Sequence, residues 1–301
     1  MILVVGATSK VGMRAIPQLL AQGEKVRALT RTPATAEAAN LAKLGAEVVQ
    51  GDLRDPDSLG RACQGAEKVL ASAHGFSPGQ ADNNPHTVDD LGNRSLIAAA
   101  KAAGVQHFVF ISILGAAPSS PMELFRIKYA TEQALQTSGL SYTILRAAAF
   151  MEFWAAMVGE PILKTGKTTI FGRGNNPINF VSAEDVAKFA VIALNDAGAR
   201  NQVINVGGPE NLTFNQVAEL FERVSGRPAK KNHVPLPMMR VMRLAMGPFN
   251  PMLSKQITGG ILMDTENQAY DMSATLRQYP VKLVRLEEIA QRMVPNANPS
   301  S

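Results

Sequence analysis

Apolar and polar positions run along the first half of the chain in blocks that change period. Met1–Val5 is a continuous apolar run, the pattern of a strand covered on both faces. From Val11 to Gln22 apolar residues return at helical spacing, with Ile16, Leu19 and Leu20 on one side. Pro17 falls in the early turns of that helix, where proline is least costly. Further strands are predicted near Lys25–Thr30, Glu47–Gln50, Lys68–Ala71, His107–Ile111 and Tyr142–Leu145. Helices are predicted near Thr35–Leu44, Val88–Ala103 and Met122–Thr137. Strands separated by helices of this length need crossover connections, which produce a parallel sheet covered on both faces. The expected fold class is α/β, a Rossmann-type doubly wound parallel sheet.

The rhythm changes after residue 150. Gly, Pro and Asn crowd Gly166–Pro177, which reads as hairpin and loop. Ser182 with Asp185, and Thr213 with Gln216, open helices with the capping-box pattern, and Gly226 closes the second. Gln202–Val206 reads as a short strand between them. Pro235–Met263, with six methionines and four prolines, reads as irregular. The expected organisation is a Rossmann domain over residues 1–150 and a smaller mixed α/β region over 151–301, interleaved with it.

Composition acts here mainly by exclusion. Hydrophobic residues make up 46% and charged residues 18%, enough to bury a core and too apolar for a disordered chain. No stretch approaches the roughly 18 uninterrupted apolar residues of a membrane span. The opening MILVVGATSK lacks the basic flank of a signal peptide. Cys63 is the only cysteine, which excludes an internal disulfide and a multi-cysteine metal site. A soluble, cytoplasmic protein without an integral membrane segment is expected. Lys and Arg total 30 against 25 Asp and Glu, a net charge of +5. The one tight basic cluster, Arg227–Lys231, lacks aromatic interleaving, so a nucleic-acid partner is not expected, while an anionic ligand is favoured.

The strongest chemical signal is Gly6-Ala7-Thr8-Ser9-Lys10-Val11-Gly12, directly after a buried strand and opening a helix. A dinucleotide pyrophosphate needs a tight turn there, close backbone approach and helix N–H groups aimed at the phosphates. Gly6 suits the turn and Gly12 the close helix–sheet contact. Ser9 stands where a middle glycine is expected, so its hydroxyl either crowds the phosphates or donates to them. The second strand ends with Arg31 in place of the acid that would hold an NAD ribose. A guanidinium pairs with a 2′-phosphate, so NADP(H) is expected ahead of NAD(H).

These residues resemble the atypical short-chain dehydrogenase/reductase superfamily, in particular its NmrA-like branch. The matching stretches are VVGATSKVG, VRALTRTP, VVQGDLRDPDSL, HFVFIS, KYATEQALQTSGLSYTILR and INFVSAEDVAKFAV. The resemblance implies that Asp52 and Leu53 lie beside the adenine, and that Ala71, Ser72 and Ala73 run along the ribose and pyrophosphate. It also implies that Ser112 and Ile113 close near the nicotinamide, with Ala148, Ala149 and Phe150 at the substrate end. Most short-chain dehydrogenases carry a tyrosine four residues before their lysine, so that both share a helix face. Lys128 stands in the lysine position, but Leu124 replaces the tyrosine, and Tyr129 points about 100° away around the helix.

Two readings stay open. In isoflavone reductase-like relatives a lone lysine serves the site, and Lys128 aligns with it through Ser138–Thr143. Lys128, with Ser112, then handles the reacting end of a hydride transfer to an apolar carbonyl, quinone or conjugated molecule. Phe150, Met151, Phe153 and Trp154 offer an apolar substrate surface, and His74 a polar group at its edge. The other reading is a non-catalytic NADP(H)-binding regulator or assembly factor that acts through a protein partner. Either is compatible with a monomer or homodimer, and no metal site is expected.

Overall fold

The computed structural model describes residues 1–75 and 83–294. The elements run β1 (Ile2–Val5), α1 (Gly12–Ala21), β2 (Val26–Thr30), α2 (Ala36–Lys43), β3 (Glu47–Gln50), α3 (Pro56–Cys63) and β4 (Lys68–Ala71). A wide π-helical segment, Pro85–Gly92, leads into α4 (Asn93–Ala102), then β5 (His107–Ile113), α5 (Glu123–Gln136) and β6 (Tyr142–Ala147). There follow β7 (Ala149–Phe150), a second π-helical turn Met151–Ala155, α6 (Ala156–Thr165), β8 (Lys167–Phe171), β9 (Ile178–Val181), α7 (Ala183–Asn195) and β10 (Gln202–Val206). The remaining elements are β11 (Asn211–Leu212), α8 (Phe214–Ser225), β12 (Lys230–Val234), α9 (Leu236–Met246), α10 (Pro251–Thr265), α11 (Ser273–Gln278) and α12 (Leu286–Met293).

Two compact units emerge. The first comprises Met1–Ala147 and Ala183–Val206. Its seven strands are all parallel, in the order β10-β6-β5-β4-β1-β2-β3. Strand order reverses at β1, between β2 and β4, the point where such sheets open a crevice at their carboxyl ends. All four residues of β1 are buried, as a strand covered on both faces requires. One core cluster gathers Leu3, Val5, Val69, Phe108 and Phe110 from the sheet with Leu59, Leu96 and Leu135 from the helices.

The second unit comprises Ala148–Ser182 and the chain from Gly207 onward. Its core packs Phe180, Phe214, Val217 and Phe221 against Val158, Ile162, Leu286 and Ile289. The Thr213–Gln216 capping box and the left-handed Gly226 cap of α8 are present as their spacing predicts. Gly166–Pro177 is not a hairpin. Within it β8 pairs in parallel with β12, and the chain then folds around a buried carboxylate. The backbone N–H groups of Arg173 and Gly174 donate to Asp264 Oδ1 at 3.0 and 2.9 Å. Pro235–Met263 is also not irregular, for it forms most of α9 and α10. Three of its four prolines sit at helix starts, where the missing N–H costs nothing, and methionine is a good helix former.

Candidate active site

The glycine turn after β1 has the expected close packing. Gly6 adopts φ +82°, and a Cβ there would meet the Ala73 backbone nitrogen at 2.6 Å. A Cβ on Gly12 would lie 2.4 Å from the Gly6 carbonyl oxygen, so α1 rests directly on the turn. Ser9 stands just before this helix in place of a middle glycine. Its Oγ accepts from the Gly12 N–H at 3.0 Å and lies 3.1 Å from Ser72 Oγ. The hydroxyl of Ser72 in turn reaches the Val5 carbonyl at 3.1 Å, which ties the end of β4 to the turn. The N–H groups of Thr8, Lys10 and Val11 find no acceptor among the described residues. Three undirected donors at the mouth of a helix, over a floor that admits no Cβ, fit a pyrophosphate.

Beyond β2 and β3 stand Arg31, Asp52 and Arg54. Asp52 is held bidentately by Arg54, with Nε 3.0 Å from Oδ1, and it also accepts from the Arg54 N–H at 2.9 Å. The Arg54 side chain is the largest influence holding the Asp52 carboxyl below its usual range, and the nearby Arg31 charge acts in the same direction. Arg54 was not evident from the sequence, because nothing in Gly-Asp-Leu-Arg-Asp marks it. Leu53 is packed into the core, where a Cβ on Gly92 would meet its own at 2.8 Å.

The third cluster rests on α5. The buried face of this helix carries Phe125, Lys128, Thr131, Glu132 and Leu135, so three polar side chains must find partners out of water. Lys128 Nζ lies 2.9 Å from Asp89 Oδ1, donates to the Ile111 carbonyl at 3.2 Å and stands 4.8 Å from the centre of the Phe110 ring. The two side chains are 8% and 0% exposed. Asp89 Oδ1 lies off the axis of any directed hydrogen bond, so the ammonium's charge rather than a donor offsets it. Oδ2 accepts from the Gly75 N–H at 2.8 Å, and the Asp89 carbonyl accepts from Thr131 Oγ1 at 2.8 Å. His74 keeps an exposed edge over densely packed surroundings. Desolvation is the main cause holding its imidazolium below the ordinary histidine range, and Lys128 adds to it while Asp89 opposes it.

Ser112 is committed elsewhere. Its hydroxyl donates to Glu132, which Arg146 grips bidentately, and those hydrogen bonds raise the already high Arg146 value further. A carboxylate can only accept, so Ser112 is the donor of this pair. Asp89 and Glu132 went unnoticed in the sequence, although a signal exists. Val88, Asp89, Asn93, Leu96, Ile97 and Ala100 form one helical stripe, and Phe125, Lys128, Glu132 and Leu135 another. Charges on an apolar stripe announce buried pairs.

Ala149 and Phe150 form β7 of the second unit, paired in parallel with Phe180 and Val181. Met151 is packed in that unit's core. Phe153 is exposed and meets Trp154 edge to face at 5.2 Å. His107 is structural, its ring lying 3.1 Å from Ser141 Oγ, from the Ala193 carbonyl and from Thr143 Oγ1. Burial pushes the Cys63 thiol up to about 11, which makes it inert as a nucleophile. No cluster of three metal-ligating side chains exists among the described residues.

A Rossmann sheet, a phosphate-type turn and a lysine without its tyrosine define an atypical short-chain dehydrogenase/reductase. The chain belongs to the NmrA-like family, which it matches over residues 1–290. It is 34% identical over 244 residues to a photosystem II assembly factor of Synechocystis sp., covering 80% of this chain and 73% of that one. An NAD(P)H azoreductase of Xenophilus azovorans is 32% identical, with 82% of each chain covered. The crystal structure of an NADPH-dependent quinone oxidoreductase from Escherichia coli, complexed with NADPH, aligns with a TM-score of 0.80 at 26% identity, covering 98% of this chain and 100% of that one.

Proposed function

We propose that this protein is an NADP(H)-dependent reductase acting on an apolar carbonyl, quinone or conjugated small molecule. The observation that carries the reading is the buried Lys128 ammonium, fixed by Asp89 and the Ile111 carbonyl beside His74. Gly6 to Gly12 hold the pyrophosphate, and the arginines at positions 31 and 54 favour a 2′-phosphate. When bound there, NADPH would supply the hydride for the acceptor carbon. The chain must then provide a proton for the acceptor oxygen. With Leu124 in the tyrosine position, Nζ of Lys128 is the group placed to give it, and His74 is placed to return one from solvent.

The resemblance to an assembly factor supports a second reading, an NADP(H)-binding protein without turnover that acts through a partner. One experiment separates the two. The purified protein is titrated with NADPH and NADH, and NADPH absorbance is then followed with a panel of quinones and enones. Turnover that disappears in Lys128→Ala while NADPH still binds supports the reductase. Tight binding with no turnover across the panel overturns it in favour of the second reading.

A further inference from the structure

Helix α9 is unusual for a surface element. Apart from Arg240 and Arg243 it contains no polar side chain, and its outward positions are apolar. Met238, Val241, Met242 and Leu244 are exposed there, Val241 by 66% and Leu244 by 72%, and Phe249 in the following loop is 85% exposed. A water-facing helix normally carries a polar face, and one without it is covered by something. The orientation is fixed from behind. Met239 is buried with its methyl group over Gly260 of α10, and Ser254 Oγ donates to the Arg243 carbonyl at 3.2 Å.

Charge decides what the cover is. From Arg223 to Met263 the sequence holds seven Lys and Arg and no Asp or Glu. Arg240 and the half-buried Arg243 line one edge of the apolar face and have no acidic partner among the described residues. Two copies packed through this face would bring arginines against arginines, which disfavours self-association. An 11-residue helix is about 16 Å long, short of the roughly 30 Å of a bilayer core, so it can lie in an interface but not cross it. No helix among the described residues is long and apolar enough to cross a membrane.

We infer that the α9 face and Phe249 dock this protein on an anionic lipid surface, with the apolar side chains entering the headgroup boundary and the arginines meeting lipid phosphates. The inference stands apart from the reductase reading, since it uses none of the same residues.

The test is flotation of the full chain with phosphatidylcholine vesicles, with and without phosphatidylglycerol, at low and high salt. The expected result is flotation with the phosphatidylglycerol vesicles, weakened by salt and weak with phosphatidylcholine alone. Leu244→Asp/Phe249→Asp abolishes it while the circular dichroism spectrum stays unchanged. Arg240→Gln and Arg243→Gln each weaken it about fivefold, from roughly 1 kcal/mol per basic residue at such a surface. Absence of flotation with phosphatidylglycerol, or equal flotation by Leu244→Asp/Phe249→Asp, overturns the inference. So does a concentration-dependent dimer in light scattering that this double variant dissociates, because a second copy then covers the face.

Discussion

Lys128 and Asp89 form an ion pair of 2.9 Å whose acid is wholly buried and whose base is nearly so. The pair joins α5 to the π-helical segment and leaves the ammonium supported from one side by the Ile111 carbonyl. Removing one charge strands the other out of water. Lys128→Met is therefore expected to lower stability by about 3–5 kcal/mol. Lys128→Met/Asp89→Asn recovers most of that loss in urea unfolding and regains no turnover. If the double variant reduces quinones as the wild type does, Lys128 is a structural cation and not the proton donor.

Gly12 carries a second prediction. Its missing Cβ would lie 2.4 Å from a carbonyl oxygen, and backbone cannot give way as a flexible side chain does. Gly12→Ala should cost about 1–3 kcal/mol in denaturant unfolding, as an overpacked contact does. It should also weaken NADPH binding, because α1 must shift to accept it. Unchanged stability and unchanged titration would show that the turn is looser than its contacts imply.

Arg31 sets the cofactor preference if the reductase reading holds. A charge-assisted hydrogen bond is worth about 1.5–3 kcal/mol, so Arg31→Ala should raise the NADPH dissociation constant roughly ten- to a hundredfold. NADH, which lacks the 2′-phosphate, should bind as before. Fluorescence titration of both cofactors reads the difference, and a parallel loss for NADH would point to a collapsed site in place of a lost phosphate contact.

His107 makes stability fall on mild acidification. Desolvation is the main cause holding its folded pKa below the unfolded value of about 6.5. Its contribution is complete above the unfolded value and is lost as pH falls from there through the folded one, because the unfolded chain takes the proton first. His74 has the same sign. Stability should therefore drop between pH 7.5 and pH 5, above the range of ordinary carboxylates. In His107→Gln that drop should be smaller, although not absent, when urea midpoints are compared at the two pH values.

The parallel sheet was legible because its inner strands are covered on both faces and read as apolar runs, β1 most plainly. The glycine turn was legible because close backbone approach excludes every other residue at Gly6 and Gly12. Other features have no such one-residue signature. Asp89 and Glu132 matter through partners distant in sequence, and the partner of a buried charge is set by tertiary packing. The prolines of α9 and α10 misled because a proline at a helix start and one in a loop look alike from composition. Met151 and Leu53 carry no signature either, since an apolar residue serves a ligand and a core equally well.

The first unit is not a contiguous piece of chain. It leaves after β6 and returns for α7 and β10, which supplies the outer strand beside β6. A polypeptide emerging from the ribosome thus presents β6 with an open edge until Val206 has been made, well after the rest of its sheet. Unpaired strand edges invite association with other chains. Nascent chains stalled between residues 150 and 200 should be the most prone to aggregate and the most dependent on chaperones. By the same token, no single proteolytic cut can release the first unit whole.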